Sequence, residues 1–225
     1  MNSLIAPPQS LEELMLRADA LAGKTIGEIA SNINITVPDN LKVKKGWQGQ
    51  FLEQCLGADS GNLSQPDFNH LGVELKTLPI DLLGRVEEST YVCVLNLIDH
   101  QLLQWQQSAV CKKLGHVLWV PIAKRAEQGV TESLIATPFL WKPSLEELEI
   151  LKSDWENVME LVSLGKIDLL NARLGEVLQV RPKAAHSRVT TKAYGANGEI
   201  IDTLPRGFYL RASFTQKILS DNLKI

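Results

Sequence analysis

Residues 116–122 read HVLWVPI and residues 91–97 read YVCVLNL. Runs this apolar and this rich in β-branched residues suit buried central strands, since a solvated face would need alternate polar positions. Such strands need helices to cover them, and helical signals lie on either side. Ser10 with Glu13 forms a capping box opening a helix to about Ala22, and Thr25 with Glu28 opens a second. Trp47, Phe51, Leu52 and Leu56 recur at helical spacing, with Gly57 as the stop. Glu53 sits on that helix, next to its most apolar stripe. Ser144 with Glu147 caps a long helix whose apolar positions are Leu145, Leu148, Leu151, Trp155, Val158, Met159 and Val162, closed by Gly165. Further strands are predicted over Val73–Leu78, ending at Pro79, over Glu176–Val180 and over Gly207–Leu210, with a last helix from Ser213 to about Leu219. Helices, then strands, then a mixture predict an α/β (α+β mixed) domain with a mixed central sheet flanked by helices.

With 225 residues and 44% hydrophobic content, the chain can bury a real core as one large domain or as two lobes. No apolar run approaches the ~20 residues that span a bilayer. The start, MNSLIAPPQSLEELM, lacks the basic opening of a signal peptide and meets Pro7, Pro8, Glu12 and Glu13, so a cytoplasmic location without membrane association is expected. Cys55, Cys93 and Cys111 are odd in number and widely spaced. They suggest neither a disulfide framework nor a zinc site and read as small buried hydrophobes. The net charge of −3 argues mildly against a nucleic-acid partner. The charge is segregated, however. Acidic residues gather at 11–14 and 144–161, basic ones at Lys42, Lys44 and Lys45, at Lys112 and Lys113, and at Arg181, Lys183, Arg188 and Lys192. That pattern is compatible with one basic face and an acidic back.

The segment at 66–77 reads PDFNHLGVELKT. In a strand, Val73 and Leu75 point into a core while Glu74 and Lys76 share the other face. A bend after Pro66 can fold Asp67 back towards Glu74. Two carboxylates with a backbone carbonyl, such as that of Leu75, make an oxygen site for magnesium. A lysine beside them suits the negative charge that accumulates in metal-assisted phosphodiester hydrolysis. As a bare pattern, E-x-K on a strand is more often a solvated pair worth a few tenths of a kcal/mol.

The blocks KGWQGQFLEQCLGADSGN (45–62), PDFNHLGVELKTLPID (66–81), LGRVEESTYVCV (83–94), KLGHVLWVP (113–121), EVLQVRPKAA (176–185) and LPRGFYLRASFT (204–215) together resemble the MutH family of DNA mismatch-repair endonucleases. The likeness runs from about residue 8 to 222. It implies a restriction endonuclease-like core whose two lobes, about 1–125 for catalysis and about 126–225 for DNA reading, form a DNA-binding cleft within a single endonuclease domain. Asp67, Glu74 and Lys76 match the family's catalytic triad, and Glu53 a helix glutamate that helps hold metal. The implied magnesium ligands are thus Asp67, Glu74, Glu53 and the carbonyl of Leu75. Lys113 matches a lysine that supports cleavage, and Lys45 a DNA-contacting residue. Arg181, Pro182 and Lys183 match the loop that reads GATC in the major groove, and Tyr209 the tyrosine that senses adenine methylation. Tyr91 stands where the family often carries phenylalanine, in a DNA-facing aromatic position.

The resemblance implies a monomeric enzyme that nicks the unmethylated strand at hemimethylated GATC, activated by MutL after MutS finds a mismatch. A restriction-type endonuclease cutting both strands, and a silent module that only binds hemimethylated DNA, are the alternatives. The chain's single copy of the triad favours nicking over the first, and the presence of all three residues disfavours the second. The histidines, His70 included, show no ligand or triad spacing and receive no role.

Overall fold

The computed structural model describes residues 5–38, 46–60, 65–98, 104–123, 129–183 and 188–224. Lys45 therefore lies outside the described residues, with Lys42 and Lys44. In chain order the elements are α1 (Leu11–Asp19), α2 (Ile26–Asn32), α3 (Trp47–Leu56), β1 (Glu74–Ile80), β2 (Thr90–Val94), α4 (Ala109–Leu114), β3 (Val117–Ala123), β4 (Leu134–Ile135), β5 (Phe139–Trp141), α5 (Leu145–Ser163), β6 (Leu178–Pro182), β7 (Thr191–Tyr194), β8 (Ile200–Thr203), β9 (Arg206–Leu210) and α6 (Ala212–Leu223). None of the described helices is long and apolar enough to cross a membrane. Two compact units are present, each discontinuous in sequence. The first comprises Met1–Glu88, Gly115–Lys142 and Ile218–Ile225, the second Ser89–Leu114 and Pro143–Lys217.

The first unit is built on β3, every residue of which is buried. β1 runs parallel to it, while β4 and β5 pair antiparallel, giving a mixed four-stranded sheet. Alternate residues of β1 and β3, Leu75, Leu118, Val120 and Ile122, share a core cluster with Leu14, Ile26, Phe51, Leu52 and Leu56 of α1–α3. Burial of those helical stripes is what stabilises the three short helices, because helices of this length are marginal alone. Thr25 with Glu28 forms the complete capping box expected, whereas at Ser10 only half of the box forms: Ser10 accepts the Glu13 N–H, but the Glu13 carboxylate accepts from the Gln9 N–H. α1 ends at Asp19, earlier than Ala22. β1 continues through Pro79 to Ile80, which is tolerable because β3 is its only partner strand among the described residues and proline lacks only the N–H of the other edge.

In the second unit, β9 is the centre of an antiparallel sheet ordered β2-β9-β6. The run YVCVLNL is thus an edge strand ending at Val94, not a central one. Its apolar content reflects a core on one face, where Thr90 and Val92 are buried, with the half-buried Tyr91 on the other. The long helix carries its capping box at Ser144 and Glu147, and Trp155 packs against Trp105 with ring centroids 5.8 Å apart. Leu145 does not join the stripe. It is 85% exposed, because the first turn of α5 runs past the surface that Leu151, Trp155, Val158 and Val162 cover. The β7–β8 hairpin was not expected from the sequence, although Asn197-Gly198 between two strands is a recognised turn signal.

Candidate active site

The geometry of PDFNHLGVELKT follows from one short fold-back in the first unit. Phe68 and Val73 form an antiparallel bridge across the 3-10 turn Asn69–Leu71. Phe68, Val73 and Leu75 face the core cluster. The alternate positions Asp67, Glu74 and Lys76 therefore lie on the opposite face. Asp67 is 6% and Glu74 only 2% exposed. Buried carboxylates need partners. Asp67 Oδ2 accepts the Leu75 N–H at 2.9 Å, and Lys76 Nζ lies 2.5 Å from Glu74 Oε1 with the lysine side chain 12% exposed. This is not a solvated surface pair. β3 sets the register, since the Glu74 N–H donates to the His116 carbonyl. The N–H and C=O of one strand residue leave the same edge. Leu75, whose N–H meets Asp67, thus presents its carbonyl on the Asp67 side.

Among the described residues, no three His, Cys, Asp or Glu side chains are close enough together to hold a metal ion. Asp67 and Glu74 are joined by the fold-back, whereas the half-buried Glu53 on α3 is not gathered with them. Magnesium commonly takes one or two protein carboxylates and keeps several waters, so two carboxylates with a carbonyl fit it by donor type and number. Lys113 is half-buried in the last turn of α4, within the second unit. It lies three residues before His116 in the chain.

The remaining predicted residues converge in the second unit. Tyr91 of β2 pairs with Tyr209 of β9, which pairs in turn with Gln179 of β6. The two tyrosine rings meet edge-on, centroids 5.3 Å apart. Arg181 lies 5.7 Å from the Tyr209 centroid, and Lys183 Nζ 3.0 Å from that of Tyr91. Such cation–π contacts are worth ~0.5–1 kcal/mol at exposed sites, enough to bias where each cation rests. Pro182 ends β6, an edge strand where its missing N–H costs nothing. Burial raises the Tyr209 hydroxyl above its ordinary pKa, and the Arg181 charge partly offsets this.

The family model for the DNA mismatch repair enzyme MutH matches residues 56–154. The MutH protein of Shewanella sp. (strain W3-18-1) is 51% identical over 216 residues, 96% of this chain and 97% of that protein. Those of Haemophilus influenzae (strain PittGG) and Shewanella woodyi are 50% and 51% identical, covering 97% and 95% of this chain and 98% and 92% of theirs. The chain belongs to the MutH family of DNA mismatch-repair endonucleases. For this MutH-family chain the match fits the mixed sheet flanked by helices.

Two groups near the MutH-family motifs escaped the sequence reading. Ser89, just before β2, accepts from Arg181 Nη1 at 2.5 Å. Asp59 and His70 contact each other beside the Asp67 turn. An aspartate ahead of a turn is an Asx-type signal that could have singled out Asp59. Gly207 of β9 makes room for the aromatic pair. A Cβ there would lie 2.9 Å from Tyr91 Cε2 and 3.0 Å from the Cys93 carbonyl. Gly207→Ala should therefore cost about 1–3 kcal/mol by overpacking. Denaturant midpoints should show the cost reduced in a Tyr91→Ala background, as coupled neighbours require.

Proposed function

We propose that this MutH-family chain is a magnesium-dependent endonuclease that nicks the unmethylated strand at hemimethylated GATC sites. The observation that carries the reading is the Asp67–Glu74–Lys76 set, with both carboxylates buried, one fixed by the Leu75 N–H and the other by the partly buried Lys76. Asp67, Glu74 and the Leu75 carbonyl would hold the metal; Glu53, which α3 does not gather with them, is left out of that set. Bound magnesium supplies Lewis-acid polarisation of a phosphoryl oxygen and a more acidic water. Lys76 keeps a positive charge where the attacked phosphate gains negative charge, and Lys113 supports cleavage as its match to the MutH family implies. The Lys76 charge need not be recruited during the reaction, because Glu74 already holds it.

The second unit supplies reading. Arg181, held by Ser89 and beside the Tyr209 ring, can address guanine O6 and N7 through both guanidinium donors. Tyr209 against adenine N6 excludes a methyl group by its bulk. Lys183, Pro182 and Tyr91 complete that face, and Lys45 contacts the backbone. MutL would act as activator with MutS upstream. A monomer suits the cutting of one strand, since a two-fold dimer would offer two sites to a palindrome. Arg181→Ala should relax base preference by about 1–3 kcal/mol in competition binding. Lys45→Ala should weaken every sequence alike.

The test uses duplexes with one GATC in unmethylated, hemimethylated and fully methylated form, with magnesium or EDTA, and with or without MutL and ATP. Cleavage confined to sites with an unmethylated strand, dependent on magnesium and stimulated by MutL, is expected. Equal cleavage of the fully methylated duplex, or binding without cleavage in every condition, would overturn the reading.

A further inference from the structure

The turn that carries Asp67 is itself held from outside. We propose that Asp59 and His70 are positioning residues that clamp this turn, so that the Asp67 carboxylate stays on the Leu75 N–H. This rests on the catalytic role proposed for Asp67. Asp59 follows α3. Its backbone N–H donates to the Asp67 carbonyl at 3.0 Å, and that of Ser60 does so at 3.2 Å. The Asp59 carboxylate accepts the Asn69 N–H at 3.0 Å through Oδ1. Its Oδ2 lies 3.2 Å from His70 Nδ1. The other ring nitrogen, Nε2, lies 2.6 Å from the Pro8 carbonyl. One aspartate thus grips the chain on both sides of Phe68, and the imidazole ties the turn to the segment before α1.

A built clamp rather than a chance surface pair is favoured because the Asp59 N–H, both its carboxylate oxygens and both ring nitrogens of His70 each have a partner. Without the clamp, the Phe68–Val73 bridge still closes the turn, but the Asp67 carboxylate is freer to leave the Leu75 N–H. Catalytic groups tolerate little such freedom, because small displacements of reacting groups lower rates steeply.

The experiment uses the full chain as wild type, Asp59→Ala, Asp59→Asn and His70→Ala. The first readout needs neither metal nor cleavage: residue-resolved amide exchange at Leu75, whose N–H is held by Asp67 and not by β3. The second is single-turnover cleavage at saturating magnesium, alongside duplex affinity. In Asp59→Ala, Leu75 should exchange about tenfold faster or more, from the loss of charge-assisted hydrogen bonds, while β3 amides keep wild-type protection. Cleavage should fall by a similar factor at unchanged duplex affinity. Asp59→Asn keeps an oxygen for the Asn69 N–H and should recover most of both effects. His70→Ala should fall between. Folded Asp59→Ala with Leu75 exchange and cleavage at wild-type levels would overturn the proposal. Should Asp59→Ala fail to fold, His70→Ala decides by the same two readouts. If wild type does not cleave, the function proposed above fails, while Leu75 exchange still judges the clamp.

Discussion

Glu74→Gln should lower cleavage by about a thousandfold or more while leaving duplex binding intact. A bound divalent cation contributes several kcal/mol of charge stabilisation, and about 1.4 kcal/mol is a factor of ten in rate. Glutamine removes one of the two carboxylates proposed to hold the metal and with it most of the attraction for such a cation. The fold should survive, because the glutamine carbonyl can still accept from Lys76 Nζ where Glu74 Oε1 now lies. Some stability should be lost, about 1–3 kcal/mol, since a buried ammonium then faces a neutral group. Duplex affinity should persist because Arg181, Lys183 and Tyr209 belong to the other unit. Single-turnover cleavage and fluorescence anisotropy on the same labelled duplex measure the two effects. Cleavage within tenfold of wild type would remove Glu74 from the chemistry.

Asp154→Ala should be the most damaging change away from the site. Asp154 is 5% exposed, on α5. Its carboxylate accepts the backbone N–H groups of Glu176, Val177 and Leu178 at 2.8–2.9 Å. The chain enters β6 through these three residues. Gly175 is required just before them. Its φ is +78°, and a Cβ would come 2.0 Å from the Leu178 carbonyl and 3.0 Å from Asp154 Cγ. The Arg211 guanidinium completes the corner by donating to the carbonyls of Ala172, Leu174 and Gly175. Alanine at 154 would strand three amide donors, each worth ~1–3 kcal/mol when buried unpaired. A loss of about 3–5 kcal/mol is expected, against a typical domain stability of ~5–15 kcal/mol. Urea unfolding followed at the tryptophans measures it. Because β6 carries Arg181, the folded fraction should also bind duplex with weaker sequence preference. A midpoint shift below about 1 kcal/mol would contradict the role assigned to Asp154.

The parts of this architecture readable in the sequence are those with a local cause. The caps at Ser10, Thr25 and Ser144 depend on side chains three residues away, and each appears where expected. VLWVPI forms a central strand because no position in it is polar enough to call for water. The face shared by Glu74 and Lys76 follows from strand alternation alone. Other features depend on partners distant in sequence. The burial of Glu74 is set by tertiary packing, so its pairing with Lys76 could be read but not its seclusion. YVCVLNL has the composition of a central strand, yet its place at the edge depends on β9 lying between it and β6. The clustering of Tyr91 with Tyr209 and of Arg181 with Ser89 joins residues about 90–120 positions apart. No periodicity reports such contacts. Asp59 is unremarkable alone and His70 shows no ligand or triad spacing in sequence; only the fold-back brings them together.

The decisive measurement labels the two strands of a hemimethylated GATC duplex with different fluorophores and follows both during cleavage by the wild-type protein with magnesium and MutL. One break per site is predicted, in the unmethylated strand, with the methylated strand intact until substrate is exhausted. Breaks in both strands at comparable rates, or in the methylated strand first, would contradict a single-strand nicking site built on Asp67, Glu74 and Lys76 and a methyl-excluding Tyr209.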